Sequence, residues 1–210
     1  VSGNTFPIAD TFDRTNGTLG VESSKWKLID ASQYGNGFYI FSNKVRCVNN
    51  NMIRYSKNVK HADYGLSAKV LMTNVNGNIV GLIARWKYLY DAFEYSDLNQ
   101  RRNGYGAELE QLTATTARLN LVVWAYNNKT VLDTENLSSY TAGEELVLSL
   151  NCVSSILTAT ILGRALVSSG DDNFTNSGGN GMYCNIVSGY GSFDDYTITS
   201  QFDSDLAVDL

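Results

Sequence analysis

Histidine and proline are the scarcest residues of this chain, with one of each among 210 residues. The single histidine, His61, excludes a zinc site built from several histidines, and any Ser-His-Asp or Cys-His catalytic site would have to include it. Its surroundings, SKNVKHADYG, form a polar segment before a predicted strand and contain nothing that marks a nucleophile. We therefore expect no histidine-based catalysis.

Positive charge is also in short supply. The chain has 16 Lys and Arg against 21 Asp and Glu, a net charge of −5, and its one basic cluster is Arg101-Arg102. Nucleic-acid binding relies on clustered cations that meet phosphates, so we expect no nucleic-acid partner. No stretch approaches the roughly 20 apolar residues of a membrane span, so we expect no membrane insertion.

Cysteine is limited to Cys47, Cys152 and Cys184, which are far apart in sequence. An odd number without paired spacing is not typical of a disulfide framework or a zinc site, and we expect small buried side chains on strands. Free thiols, and no signal peptide before Val1, favour assembly in a reducing bacterial cytoplasm.

The abundant residues are those of turns and strands, including 18 Gly and 13 Tyr. Apolar and polar residues alternate with period two, which predicts strands with one face in a core. The clearest predicted strands cover residues 66–73, 79–86, 119–124, 146–151 and 157–162. Residues 88–100 have no sustained helical period and are interpreted as a long excursion between strands. We predict one all-β domain with a core over about 10–199 and a short acidic tail at 200–210.

Both ends of the predicted core set an aromatic residue among acids beside glycine. The first is DTFDRTNGTLG (10–20) and the second is GSFDDYTI (191–198). A sandwich hides its edges best if its first and last strands pair, which would bring the acids to one rim. Oxygen ligands at such a rim suit structural calcium, held chiefly by Asp10 and Asp195. The alternative is surface charge and turn-making side chains.

Further acids extend this hypothesis. Asp13 and Asp194 would complete the rim calcium site, and Asp171 with Asp172 would form a second, loop-borne one.

The two end motifs belong to a longer series of similar pieces. Three further pieces lie between the two end motifs: IVGLIARW, GYGAELEQL and a G-x-x-L-x-L stretch at 143–148. A fourth piece, GNGMYCNIVSGYGSFDDYTI, includes the second end motif. Together they resemble the concanavalin A-like, laminin-G-like jelly roll, a sandwich of two antiparallel sheets. The opening motif is similar to modules of bacteriophage virion proteins and of extracellular bacterial proteins. The resemblance spans residues 10–198 and implies the fold, which hosts lectins, hydrolases, lyases and passive virion modules.

Glu108 and Glu110 form the best enzymatic constellation in the chain. They lie two apart on a predicted strand, so they share a face with Cα atoms roughly 6.6–7 Å apart. Flexible side chains at this spacing can reach the carboxylate separations of glycosidases. The Glu-x-Asp-x-Glu run of jelly-roll glucanases is missing, and two acids on a solvated sheet face are the alternative.

A glycan-binding face is the second candidate site. Arg85, Tyr105, Glu108 and Trp124 are predicted to line the concave sheet, where rings stack on sugars and polar groups bond hydroxyls. Trp124 lies opposite the Leu121 core position, so it faces either a second layer or a ligand.

We predict a non-enzymatic bacteriophage virion module, either a tail-fibre or tail-associated protein or a capsid decoration protein. Its partners would be other virion proteins, host surface glycans and further copies of itself. A polysaccharide-active hydrolase or lyase using Glu108 and Glu110 is the alternative. A secreted lectin-like adhesion domain, which would be extracellular, is the third.

Overall fold

A computed structural model describes residues 8–18, 26–28, 38–55, 62–87, 103–125, 128–137, 139–176 and 178–200. His61, Arg101-Arg102, the excursion 88–100 and tail residues 201–210 lie outside these ranges, so the predictions about them stay predictions. Every described element is a β-strand. The described residues include no helix that could span a membrane.

Sixteen strands make up the described part of the chain. In chain order they are β1 (Ile8–Asp10), β2 (Gly17–Thr18), β3 (Trp26–Leu28), β4 (Phe38–Phe41), β5 (Lys44–Cys47), β6 (Asn50–Tyr55), β7 (Tyr64–Met72), β8 (Ile79–Lys87), β9 (Asn103–Gln111), β10 (Ala117–Ala125), β11 (Asn128–Leu137), β12 (Leu146–Val153), β13 (Ile156–Ile161), β14 (Ala165–Gly170), β15 (Gly179–Asn185) and β16 (Gly191–Ser200).

The strands form two antiparallel sheets that pack as a sandwich. Sheet A runs β14-β13-β12-β7-β16-β5-β4-β2, with β1 added beside β16. Sheet B runs β11-β10-β9-β8-β15-β6-β3. The predicted all-β sandwich of two antiparallel sheets is therefore confirmed.

The main core lies between the sheets and follows the predicted period of two. Leu66, Val70 and Leu148 of sheet A and Leu82 and Leu119 of sheet B are among its buried members. Alternate side chains of each strand reach this core, because successive residues of a strand point to opposite faces.

One prediction within this pattern is wrong. The alternation of Val80 and Leu82 predicts Trp86 on the same core face, but it lies in a separate cluster on the other side of sheet B. Arg85 has a left-handed backbone (φ 51°), and the register of β8 with β9 shifts between Ala84 and Lys87. Such a bulge adds a residue to one strand and reverses the alternation beyond it.

The first and last strands pair, as their shared motif predicts. β1 lies antiparallel to the second half of β16, with Asp10 opposite Tyr196, while β5 pairs with the first half of the same edge. Phe12 packs on Trp26 with ring centroids 5.8 Å apart, and Trp26 packs on Tyr196 at 5.0 Å. The two ends of the fold are thereby held together by rings in the core.

At the opposite side of the sandwich, acids protect an edge strand. The free edge of β14 points backbone N–H groups toward β11 of the other sheet. Leu166 N donates to Glu135 Oε2 at 2.7 Å, and Ser168 N donates to Asp133 Oδ2 at 3.0 Å. Because these N–H groups already donate to carboxylates, they cannot pair with a strand of another chain, which limits edge-to-edge aggregation.

Candidate functional site

The outer face of sheet B carries the predicted acid pair. Tyr105 and Leu109 of β9 point into the main core. Glu108 and Glu110 therefore point the other way, because residues of opposite parity face opposite sides of a sheet. Their predicted shared face is confirmed.

Both acids belong to a row of polar residues that crosses β9, β10 and β11. We call this row the polar strip: Glu108, Glu110, Arg118, Asn120, Lys129 and Thr134. It forms because β10 lies between β9 and β11, with Asn120 opposite Glu108 on one side and opposite Thr134 on the other.

Glu108 is buried at the centre of the polar strip. Its side chain is 0% exposed, and Lys129 Nζ lies 3.1 Å from each of its two oxygens. The Lys129 side chain remains 40% exposed. The carboxylate is thus recessed beneath a cation that faces solvent.

Glu110 is held in the same manner by Arg118. Its Oε2 atom accepts hydrogen bonds from Arg118 Nη2 at 2.7 Å and from Asn120 Nδ2 at 3.0 Å. Burial alone would raise the pKa of Glu110, but these hydrogen bonds outweigh it and the pKa is lowered. Glu110 is therefore ionised at neutral pH and unsuited to act as a general acid, which needs a raised pKa.

An aromatic cluster lies beside the polar strip on the same outer face. Trp86 and Trp124 meet edge to face with centroids 6.1 Å apart, and Trp124 meets Tyr183 at 5.1 Å. Trp124 is 2% exposed. It lies on the predicted face, but as part of a packed second layer. Its ring is not open for stacking on a sugar.

The indole of Trp86 adds one polar feature to this cluster. Its Nε1–H is buried and has no hydrogen-bond acceptor among the described residues. Buried donors in folded proteins are almost always satisfied, so this one has capacity for a further acceptor.

Glycines form the floor on which these rings lie. A Cβ at Gly81 would come within 2.2 Å of Tyr183 Cε1, and a Cβ at Gly106 within 2.5 Å of Trp124 Cζ3. Gly81 of IVGLIARW and Gly106 of GYGAELEQL are thus explained by close approach of aromatic rings, since a larger residue would overlap them.

We expect Gly106→Ala to lower the free energy of unfolding by about 1–3 kcal/mol, because the added methyl group overlaps the Trp124 ring. Gly170→Ala is the matched control, since a Cβ there meets nothing within 4 Å. Urea unfolding followed by tryptophan fluorescence measures both. Equal stability of the two variants would contradict the direct packing of the Trp124 ring on Gly106.

Arg85 does not lie on this face, contrary to the prediction. It is fully buried, and its left-handed backbone directs its guanidinium group toward sheet A. Nε donates to Ala62 O at 2.9 Å and Nη1 donates to Ser154 O at 2.6 Å. Nη2 lies 3.2 Å from Asp63 Oδ1. Arg85 therefore connects the two sheets and is not available to a ligand.

Tyr105 is also absent from the outer face. It lies in the main core, and its hydroxyl donates to Asp171 Oδ1 at 2.5 Å and accepts from Phe174 N at 3.0 Å. Asp171 also accepts from Asn173 N, so its carboxylate fixes the loop between β14 and β15. The odd spacing between Tyr105 and Glu108 was the sequence signal that these two residues cannot share a face.

The rim acids are occupied by protein donors. Asp10 Oδ1 accepts from Phe12 N and Arg14, and Oδ2 accepts from Trp26 Nε1 at 2.9 Å. Asp195 pairs with Lys69 at 2.7 Å.

The remaining members of the predicted calcium sites do not complete a metal cluster. Asp194 Oδ2 lies 3.8 Å from Lys44 Nζ, while Asp13 and Asp172 are exposed. In the described ranges, no group of three or more His, Cys, Asp or Glu side chains is placed to hold a metal ion. The structure does not assemble the predicted calcium sites from these residues.

Comparison with known proteins identifies the fold. No protein-family model and no curated protein sequence matches the chain. Solved structures do match. Carbohydrate-binding module CBM66 from Bacillus subtilis superposes with a TM-score of 0.62 at 13% identity, over 85% of this chain and 98% of the other.

Two further similar structures have bound sugars. The VIP36 exoplasmic/lumenal domain, in a Ca²⁺/Man3GlcNAc-bound form, has a TM-score of 0.61 and 10% identity over 86% of each chain. LamA from Zobellia galactanivorans, in complex with laminaritriose and laminaritetraose, has a TM-score of 0.63 and 9% identity over 95% of this chain and 100% of the other. The expected jelly-roll fold is confirmed. At these identities the likeness shows the fold alone.

Proposed function

We propose that this protein is a non-catalytic glycan-binding module and that the polar strip on sheet B is its binding surface. One observation carries the proposal: amide, hydroxyl, guanidinium, ammonium and carboxylate groups converge on one sheet face beside a rigid aromatic cluster. Sugar hydroxyls both donate and accept hydrogen bonds, so they suit such a mixed row.

The exposure of the polar strip supports contact with a ligand through the cations. Arg118 is 38% exposed and Lys129 is 40% exposed, whereas Glu108 is fully buried. A polysaccharide would therefore meet the outward-facing cations first. The packed rings behind them keep the side chains in place, and such pre-organisation lowers the entropy lost on binding.

The pairing of the two acids argues against hydrolysis. A glycosidase needs one carboxyl group held protonated and one ionised. The ammonium of Lys129 contacts both oxygens of Glu108, and Glu110 has a lowered pKa. Structures of similar fold include both a carbohydrate-binding module and a GH43 protein, so the choice rests on these local environments.

Binding is tested with soluble neutral and uronate-containing bacterial polysaccharides, laminaritetraose and Man3GlcNAc. We expect Arg118→Ala to weaken binding of any positive probe at least about tenfold, a change of about 1.4 kcal/mol. Arg164→Ala is the matched control, because Arg164 forms a similar exposed pair with Glu144 on another surface. Isothermal titration calorimetry measures both. Equal binding by the two variants would show that the glycan binds outside the polar strip. No binding to any probe would overturn the proposal.

The hydrolase alternative is tested on the same panel. We expect no reducing ends to accumulate when the polysaccharides are incubated with the native protein or with its Glu110→Gln variant. Cleavage by the native protein that disappears in Glu108→Gln would establish the enzyme instead.

We also propose that the module serves in a bacteriophage attachment apparatus, on the strength of the sequence resemblance alone. This setting implies other virion proteins and further copies of the chain as partners. Mass spectrometry of purified phage particles tests it, because the chain must then be a stoichiometric component. The secreted adhesion alternative predicts the chain in culture medium without particles.

A further inference from the structure

Cys47 and Cys184 lie in different sheets but meet where the chain crosses between them. Cys47 is the last residue of β5 in sheet A, and the chain then passes through Asn49 to β6 in sheet B. Cys184 of β15 is opposite Asn51 of β6, and its Sγ lies 3.4 Å from Asn49 O. The sulfur of Cys184 therefore rests on backbone two residues beyond Cys47.

A second set of contacts places the side chains of both cysteines in the same part of the main core. A Cβ at Gly191 would lie 2.9 Å from Cys47 Sγ and 2.5 Å from Val80 Cγ1. Val80 is the cross-strand partner of Cys184. Burial and then a hydrogen bond with Cys184 raise the pKa of Cys47. Both thiols are fully buried and reduced in this structure.

We propose that Cys47 and Cys184 form a disulfide that joins the two sheets when the chain folds in an oxidising environment. The two thiols lose two protons and two electrons as the S–S bond forms. A small-molecule or enzyme disulfide accepts the electrons and becomes two thiols. Cys152 is left as a single thiol, which accounts for the odd number of cysteines.

The timing of this oxidation follows from burial. Only the thiolate attacks a disulfide, and burial with a raised pKa makes thiolate scarce in the folded state. Native protein should therefore resist oxidants, and the bond should form during folding. The same chain would hold free thiols in a reducing cytoplasm and a bridge outside the cell.

Refolding from urea in a glutathione redox buffer, with a dithiothreitol-refolded sample as reference, tests the pair. After alkylation under denaturing conditions, we expect one labelled cysteine instead of three, and a mass about 2 Da lower before labelling. Peptide mapping should identify a Cys47–Cys184 link. The melting temperature should rise by about 5–10 °C, because the bridge constrains the unfolded chain.

Cysteine variants separate the proposal from a general effect of oxidation. Cys152→Ser should gain the same stabilisation on oxidation as the native protein, because Cys152 lies on β12, away from the pair. Burial also raises the pKa of Cys152 to about 12, so little of it is thiolate in the folded protein. Cys47→Ser and Cys184→Ser should gain none. If these two fail to fold, mapping of the native protein alone decides. Three alkylated cysteines after oxidative refolding, or a bridge that includes Cys152, would overturn the proposal.

Discussion

An Arg85→Met protein is expected to lose about 3–5 kcal/mol of its free energy of unfolding, the range observed when one partner of a buried ionic group is removed. Methionine keeps an apolar stem but none of the N–H donors of a guanidinium. The acceptors that would lose a donor are Ala62 O, Ser154 O, Phe174 O and Asp63 Oδ1. They belong to three connections, so their loss loosens one end of the sandwich.

Urea unfolding followed by tryptophan fluorescence measures this loss. Arg118→Met is the control, because the Arg118 side chain is 38% exposed and its guanidinium pairs with one carboxylate. Exposed pairs contribute about 1 kcal/mol or less. If Arg85→Met does not fold, Arg85→Lys keeps the charge but not the planar fork, and we expect roughly half the loss. Losses below about 1 kcal/mol in both variants would contradict the role assigned to Arg85.

The backbone at Arg85 is a feature that the sequence pattern does not predict. The alternation of Val80, Leu82 and Ala84 predicts β8 and its core face correctly. Simple continuation then places Arg85 outside and Trp86 inside, and both are reversed by one left-handed residue at a bulge. No glycine or asparagine marks the bulge, because the strained backbone is held by the hydrogen bonds of the arginine side chain. Such strain is visible only in three dimensions.

The sequence predicts which face of a strand a residue occupies better than it predicts that residue's partners on neighbouring strands. The spacing of Glu108 and Glu110 fixes their common face, and the even spacing of Leu119 and Leu121 fixes a core face. The cations that bind the acids were not predicted. Lys129 reaches Glu108 across β10, and that reach depends on a register shift in β10 and β11. Register over several strands is not a local property of sequence.

The closure of the fold was predictable because both termini carry the same chemistry. Phe12 and Tyr196 supply rings to the core on either side of Trp26, as the two motifs predict. The role of the acids was not predicted, since a carboxylate can bind either a metal ion or N–H donors. The structure gives Asp10 three donors, and these explain why a carboxylate is needed beside a tryptophan.

The second large effect is expected at Asp10, where Asp10→Asn should cost about 2–3 kcal/mol at neutral pH. Both carboxylate oxygens accept hydrogen bonds, Oδ1 from Phe12 N and Arg14 and Oδ2 from Trp26 Nε1. Asparagine has one acceptor oxygen and one NH₂ group. In either orientation a donor would face a donor, and one buried N–H would lose its partner.

The cost of this substitution should depend on pH. Burial alone would raise the pKa of Asp10, but hydrogen bonds from Arg14, Trp26 and the Phe12 backbone lower it below the ordinary value of an aspartate. A carboxyl group whose folded pKa is lowered stabilises the fold above its unfolded pKa. That contribution is lost as the pH falls through the folded pKa. The difference between native and Asp10→Asn proteins should therefore be full at pH 6–7 and shrink below pH ~4.

Urea unfolding between pH 7 and pH 3 measures this difference. Asp13→Asn serves as the control because Asp13 is exposed, and Trp26→Phe isolates the Oδ2 hydrogen bond if Asp10→Asn does not fold. A chelator should leave the melting temperature of the native protein unchanged, since N–H donors already occupy both oxygens of Asp10. A melting temperature that falls on chelation, with no such fall in Asp10→Asn, would identify Asp10 as a metal ligand and restore the calcium hypothesis.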